Sequence, residues 1–386
     1  MVPIRYNVRS VIERRATSLM TILGVALVAM IFVLVFGFAA GLKESLLNAG
    51  QDRNVIVMAR GVTSENESFV PHEAVEILRV RPEIAANERH QPLLSRESIA
   101  GVNVSRTRGA KEFALLRGVE PIAYEVHPNL HLVEGHWPVR GNGEWVVGRR
   151  LLTHFPYLQP GTVFHYGHRD WKIVGVFSDN DSARESEAWT DLDDLINDRH
   201  WDAGGAAALR LVLNPGSATE FAQAIKADGR LSLQAETETE YYAAQAALAG
   251  QLRMLGLIVA LALAIGATFG GMNTMYTAVT RRAREIGVLR VLGFSRGDIL
   301  SSFVIESVIL GLAGGIAGVV LATAVAWATG LTSRTMSVGA MFFSYRPTAG
   351  AIVAGVVVAA IIGVAGGLMP AVRASRVGIL RALREA

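Results

Sequence analysis

Four stretches of this 386-residue chain carry no charged side chain and no histidine: Ala16–Leu42, Met254–Thr280, Ser307–Ser333 and Pro347–Val372. Each exceeds the ~20 apolar residues that take a helix across a ~30 Å hydrocarbon core. Lipid offers the backbone no hydrogen-bond partners, so such segments must be helical. The chain is therefore constrained to an α-helical membrane protein with four transmembrane helices, placed here at 19–42, 254–280, 303–331 and 348–372. Composition agrees, with 51% hydrophobic and 18% charged residues. A signal peptide also begins with a basic segment, but its apolar region covers only ~7–15 residues. The first run is about twice that, and Ala39-Ala40 makes a poor cleavage site, so it reads as a membrane anchor.

Between the first two spans, residues 43–253 have the composition of a soluble domain and hold all nine histidines. Asn54–Ala59 reads as a buried strand, and Pro71–Val80 as a helix with proline at its start and Pro82 beyond its end. Short β runs follow at Phe113–Leu116, Trp145–Val147, Thr162–Tyr166 and Trp171–Phe177, separated by glycine and proline turns. Ala208–Leu213, Ser217–Ala227 and Leu231–Ala235 form a β-α-β pattern. The expectation is a large α+β extracytoplasmic domain of two subdomains. Its two ends build one, and the β-rich middle builds the other. Proline-free segments at Lys43–Leu47 and Glu236–Arg253 should prolong the first two spans as stalk helices.

Charge sets the sidedness. Residues 1–18 carry Arg5, Arg9, Arg14 and Arg15, and residues 281–302 carry five arginines. The tail, 373–386, carries Arg373, Arg376, Arg381 and Arg384, whereas the loop 332–347 has only Arg334 and Arg346. The positive-inside rule puts both termini in the cytoplasm and the large domain outside. Glu306 is expected at the cytoplasmic interface, because a carboxylate at mid-bilayer costs at least ~2.5 kcal/mol.

Within 281–302, Ile286, Leu289 and Leu292 recur at three-residue spacing, with Arg282, Glu285 and Arg290 as polar positions. This reads as a short amphipathic helix at the membrane surface, stopped by Gly293. The run Met272-Asn273-Thr274-Met275, followed by Arg284-Glu285-Ile286-Gly287-Val288-Leu289-Arg290-Val291-Leu292-Gly293, resembles the signature of FtsX-like permeases. These are the membrane subunits of ABC transporters of the MacB, LolC and LolE kind. The basic N-terminal segment, Pro370 and the spaced arginines of the tail are similar to the family's ends. Leu116-Arg117-Gly118-Val119, Leu132-Val133-Glu134-Gly135, Glu144-Trp145-Val146-Val147-Gly148 and Val174-Gly175-Val176-Phe177 resemble, more loosely, the extracytoplasmic domain of MacB-like permeases.

The resemblance implies that Arg284, Glu285, Ile286, Gly287, Leu289, Arg290, Leu292 and Gly293 form a coupling helix docking on a separate ATPase. No G-x-x-x-x-G-K-[ST] motif occurs, so this chain has no Walker loop and ATP and Mg would be bound by the partner. No cofactor is expected on this chain, and no catalytic residue set is legible. The four uncharged stretches hold no acidic, basic or histidine side chain, which argues against a self-contained ion-driven carrier. They carry small-x-x-x-small pairs suited to close helix packing: Gly37/Gly41, Gly266/Gly270, Gly311/Gly315, Gly314/Gly318 and Gly363/Gly367. His127, His131, Glu134 and His136, with His165 and His168 after them, match no standard zinc spacing. On a regular strand, His131 and Glu134 would point to opposite faces.

What the resemblance implies is a non-enzymatic permease subunit of the bacterial inner membrane. It would convert ATP hydrolysis into movement of its outer domain, expelling or extracting a peptide, lipophilic compound or lipoprotein. Its partners would be a dimer of ABC ATPase subunits, a second permease copy in a homodimer or heterodimer, a periplasmic adaptor or outer-membrane partner, and membrane lipid. The basic residues beside the spans suit anionic head groups rather than nucleic acid. The alternative is an FtsX-like regulator that switches a cell-wall hydrolase.

Overall fold

The computed structural model describes residues 15–107, 110–202, 204–331, 336–338 and 341–376. Arg5, Arg9, Arg14, Arg334, Arg381 and Arg384 lie outside them. Along the chain, α1 (Arg15–Leu47) precedes β1 (Asn54–Ala59), α2 (His72–Arg79), β2 (Leu94–Thr107), β3 (Ala110–Val119), α3 (Ala123–Val126) and β4 (His131–Gly135). Next come β5 (Glu144–Gly148), α4 (Arg149–His154), β6 (Val163–Tyr166), β7 (Arg169–Ser178), β8 (Glu187–Asp191) and α5 (Leu192–Arg199). Then β9 (Ala208–Val212), α6 (Ala218–Ala227) and β10 (Leu233–Thr237) lead to α7 (Glu238–Arg281), α8 (Ala283–Val291) and α9 (Arg296–Ala328). A hairpin of β11 (Met336–Val338) and β12 (Met341–Phe343) joins α9 to α10 (Ala349–Ser375).

The chain divides into two units, Met1–Ala40, Ala249–Thr332 and Tyr345–Ala386 in one, and Gly41–Leu248 with Ser333–Ser344 in the other. Among the described residues, α1, α7, α9 and α10 are the helices long and apolar enough to cross a membrane. In the helical unit, glycine lets α9 lie close to two neighbours. A methyl group on Gly311 would fall 2.7 Å from the Ala359 carbonyl oxygen, and one on Gly315 2.9 Å from the Ala359 side chain. On α10, Gly363 meets the Ser307 carbonyl and Gly367 meets the Ser307 side chain. Gly314 and Gly318 face Val25, Ala26 and Ala29 of α1. Gly37 sits against the ring of Tyr345. Gly266 and Gly270 differ: nothing lies within 4 Å of a methyl group at either. Only 6% of the most apolar window of α7 is buried, and among the described residues that glycine pair makes no close approach.

In the other unit, β1 to β10 form one sheet in the order β10-β1-β9-β2-β3-β8-β5-β7-β4, with β6 also on β7, and among the described residues β11 pairs only with β12. β9 and β10 both pair antiparallel with β1 and are joined by α6, so the expected β-α-β has a third strand inserted in its middle. The sheet is continuous, but its cores are separate. One core gathers Val55, Val57, Val75, Leu78, Leu209 and Phe221, from both ends of the insert. Another gathers Trp145, Phe155, Trp171, Ile173 and Leu195, from the middle. The long strand β2 crosses from the first core to the second.

The segment 332–347, read from sequence as a short outer loop, is more than a connection. Phe342 and Phe343 are fully buried, and Phe342 belongs to the second core. Its amide donates to Ser186 Oγ at 2.8 Å, its carbonyl accepts from Arg150 Nη1 at 3.2 Å, and its ring stacks on His154 at 4.3 Å. Gly41 lies against the Ser344 carbonyl, where a side chain has no room.

Candidate functional site

Two features hold side chains in arrangements that packing alone does not require. The first is the turn from α7 through α8 to α9. Gly293 takes φ +97° directly after α8, a conformation natural to glycine. The Phe294 amide donates to the Leu289 carbonyl at 3.1 Å and the Gly293 amide to that of Arg290 at 3.2 Å, which is a Schellman ending. Immediately after, Ser295 caps α9. Its Oγ accepts from the Asp298 amide at 3.1 Å while Asp298 Oδ2 accepts from the Ser295 amide at 2.9 Å. The stop and the start together fix where α8 lies relative to α9.

The faces of α8 differ from the expectation. Ile286 is buried with Met275, Val279, Ile299 and Phe303, and Leu289 packs partly against that cluster. Leu292 is 69% exposed, alongside Val288 and Val291. Residues three apart on a helix drift by ~60°, so Leu292 lies ~120° from Ile286 and leaves its stripe. The outward face of α8 is thus Arg284, Glu285, Val288, Val291 and Leu292. Gly287 is buried and Arg290 half-buried, with its Nη1 donating to the Phe294 carbonyl at 3.2 Å. Glu306 is buried, 3.3 Å from Arg282 Nη1.

The second feature, missed in the sequence, is a buried charge network in the sheet unit. Arg117 on β3 forks onto Glu187 at 2.7 and 2.8 Å, and its Nη1 reaches Glu65 Oε2 at 2.7 Å and Glu97 Oε2 at 2.9 Å. Arg210 on β9 donates to Glu65 Oε1 at 2.6 Å and to Glu238, with Glu97 3.1 Å from its Nε. Arg184 spans Asp179 at 3.2 Å and Glu238 at 2.9 Å. His127 Nε2 lies 2.9 Å from Glu97. All these groups are buried, and Glu238 is the first residue of α7. Burial alone pushes the Glu97 carboxyl up. The charges of His127, Arg210 and Arg117 outweigh it and hold Glu97 well below the usual carboxylate range. For Glu238, burial is likewise outweighed, by Arg184 and Arg210. The signal available in the sequence was an arginine inside an apolar strand, as in Leu116-Arg117-Gly118 and Leu209-Arg210-Leu211. Such a charge must be paired or face solvent.

The histidines are dispersed. His127 belongs to the network, His136 Nδ1 is bonded to the Trp137 carbonyl, and His165 pairs with Asp170. Against expectation, His131 and Glu134 share a face of β4. The register passes from Leu132↔Phe177 to Glu134↔Val176, and the bulge at Val133 restores the side of His131. Among the described residues, no group of three or more His, Asp or Glu side chains is placed to hold a metal ion.

Residues 17–228, more than half of the chain, match the profile of the MacB-like periplasmic core domain, and residues 257–379 match the FtsX-like permease C-terminal domain. The chain belongs to the MacB/FtsX-like permease family. The uncharacterized ABC transporter permease YknZ of Bacillus subtilis is 36% identical over 138 residues, which are 34% of this chain and 31% of YknZ. The macrolide export ATP-binding/permease protein MacB of Burkholderia lata is 38% identical over 130 residues, 34% of this chain and 18% of that protein. The pyoverdine export ATP-binding/permease protein PvdT of Pseudomonas putida is 29% identical over 219 residues, 56% of this chain and 28% of that protein. The matches thus span less than a third of these relatives' lengths. The solved periplasmic region of MacB from Actinobacillus actinomycetemcomitans superposes with a TM-score of 0.38 at 11% identity, over 51% of this chain and 94% of that one. Membership makes this MacB/FtsX-like chain a multi-pass membrane permease.

Proposed function

We propose that this chain is the permease subunit through which a separate ATPase moves an extracytoplasmic domain, so as to export or extract a substrate. The observation that carries this reading is α8. It is a short helix fixed by a Schellman stop and a capping box between two candidate spans, with Val288, Val291 and Leu292 exposed beside Arg284 and Glu285. Apolar side chains left in water on a rigid, basic element suit a protein groove. The arginine distribution supports a cytoplasmic position for that element and an outer position for the large domain. A second permease copy, ATP and Mg on the ATPase, and a periplasmic adaptor complete the assembly we propose. The exposed, glycine-bearing face of α7 suits a second copy.

The test is co-purification. Leu292→Asp places a charge at the proposed contact and removes a burial worth ~1.5–3 kcal/mol. The complex with the ATPase should weaken by about tenfold or more, with the melting curve of the permease unchanged. Ile286→Asp should instead unfold the helical unit. A Leu292→Asp protein that still retains its ATPase and supports transport would leave α8 without a coupling role.

A further inference from the structure

Beside the first core of the sheet unit, at Ala206, lies a cavity of about 250 Å³. One wall comes from the segment after β1, with Phe69; another comes from α5 and the turn after it, with Ile196, Trp201 and Asp202. Ser98 and Ile99 of β2 lie between them. An apolar cavity of ~150 Å³ accepts benzene, so this one has room for a fused pair of rings. Phe69 and Trp201 are 53% and 42% exposed, unusual for large aromatics beside a formed hollow.

Charge narrows the occupant. Among the described residues, no lysine, arginine or histidine lines the cavity. Glu65 borders it, but its oxygens are held by Arg117 and Arg210. Asp202 is different. Its Oδ1 accepts from the Gly204 amide at 3.1 Å, and its Oδ2 has no partner among the described residues. The nearby Arg96 is turned to Glu120 at 2.9 Å and to the Gly204 carbonyl at 3.4 Å. An aromatic pair with one available carboxylate and no lining cation selects a ring that carries an ammonium group.

We propose that this cavity binds a small aromatic amine, its rings between Phe69 and Trp201 and its ammonium on Asp202. This binding needs no ATPase and stands apart from the coupling proposed for α8.

The experiment is equilibrium dialysis of the full-length chain in phosphatidylcholine nanodiscs, with empty nanodiscs as the control for lipid partition. The probes are tryptamine, indole and indole-3-acetate. Tryptamine should bind saturably and about tenfold more tightly than indole, and indole-3-acetate should not bind. Asp202→Asn should erase the preference for tryptamine over indole, and Trp201→Ala should weaken both. Each variant must first show an unchanged melting curve. Saturable binding indifferent to both substitutions would place the ligand elsewhere, and absence of saturable tryptamine binding to a folded protein would remove the site.

Discussion

Arg117 faces three carboxylates from a buried position. Removing one member of a buried ionic set leaves charges uncompensated and costs ~3–5 kcal/mol. Arg117→Met should therefore lower the stability of the sheet unit by about that much, read as a shift in its denaturation midpoint. Glu65, Glu97 and Glu238 are all held below the ordinary glutamate value. A depressed carboxylate contributes stability that is complete above its unfolded-state pKa and is lost as pH falls toward the folded one. Melting temperature should then be level from neutral pH to about 5 and drop steeply below about 4.3, the ordinary glutamate value. A flat profile down to pH 3 would mean that the network contributes little. None of these partnerships was legible in the sequence, because Glu65, Glu97, Glu187 and Glu238 come from four separate stretches. Arginine within an apolar strand announces that a partner exists, never which one.

Among the elements, the sequence was clearest where one periodicity persisted. The four apolar helices and β1, β5, β7 and β9 stand close to where the runs of hydrophobic and β-branched residues put them. Elements defined by non-local partners were harder. β2 reads as polar, Leu-Ser-Arg-Glu-Ser, yet it pairs with both β9 and β3 and carries Glu97 into the network. The rotation of α8 was misjudged because three-residue spacing imitates an amphipathic stripe over two steps and departs from it over three. The β11–β12 hairpin shows the same limit. Its Met341-Phe342-Phe343 run lies far along the chain from the core it fills. Phe342→Ala would leave a void beside Phe155 and His154, and should cost the domain ~3–5 kcal/mol. Hydrogen exchange at Ser186 and in β8 would rise with it. An insert of residues 43–253 alone should show the same loss, because it lacks Phe342. If that insert melts at the temperature of the complete unit, the hairpin is not part of the core.

For the whole molecule, sidedness decides whether α8 can meet an ATPase at all, and it rests on arginine placement. The segments 1–18 and 281–302 carry four and five arginines, against two in 332–347. Moving such charges through a bilayer core costs ~2.5 kcal/mol each or more, so short loops rich in them stay on the cytoplasmic side. The chain contains no cysteine, so one introduced thiol reports one position. Asn66 and Val133 are exposed in the sheet unit, and Val291 is 60% exposed on α8. Positions such as Ser182 are fully buried and would stay silent on either side. In spheroplasts, an impermeant maleimide should label Asn66→Cys and Val133→Cys and spare Val291→Cys until lysis. The reverse pattern would put α8 outside, where no ATP-hydrolysing partner operates, and the coupling proposal would fail with it. Labelling of all three in intact spheroplasts would mean that the helices between them do not alternate across the membrane. The match between four apolar helices and four crossings would then have to be abandoned.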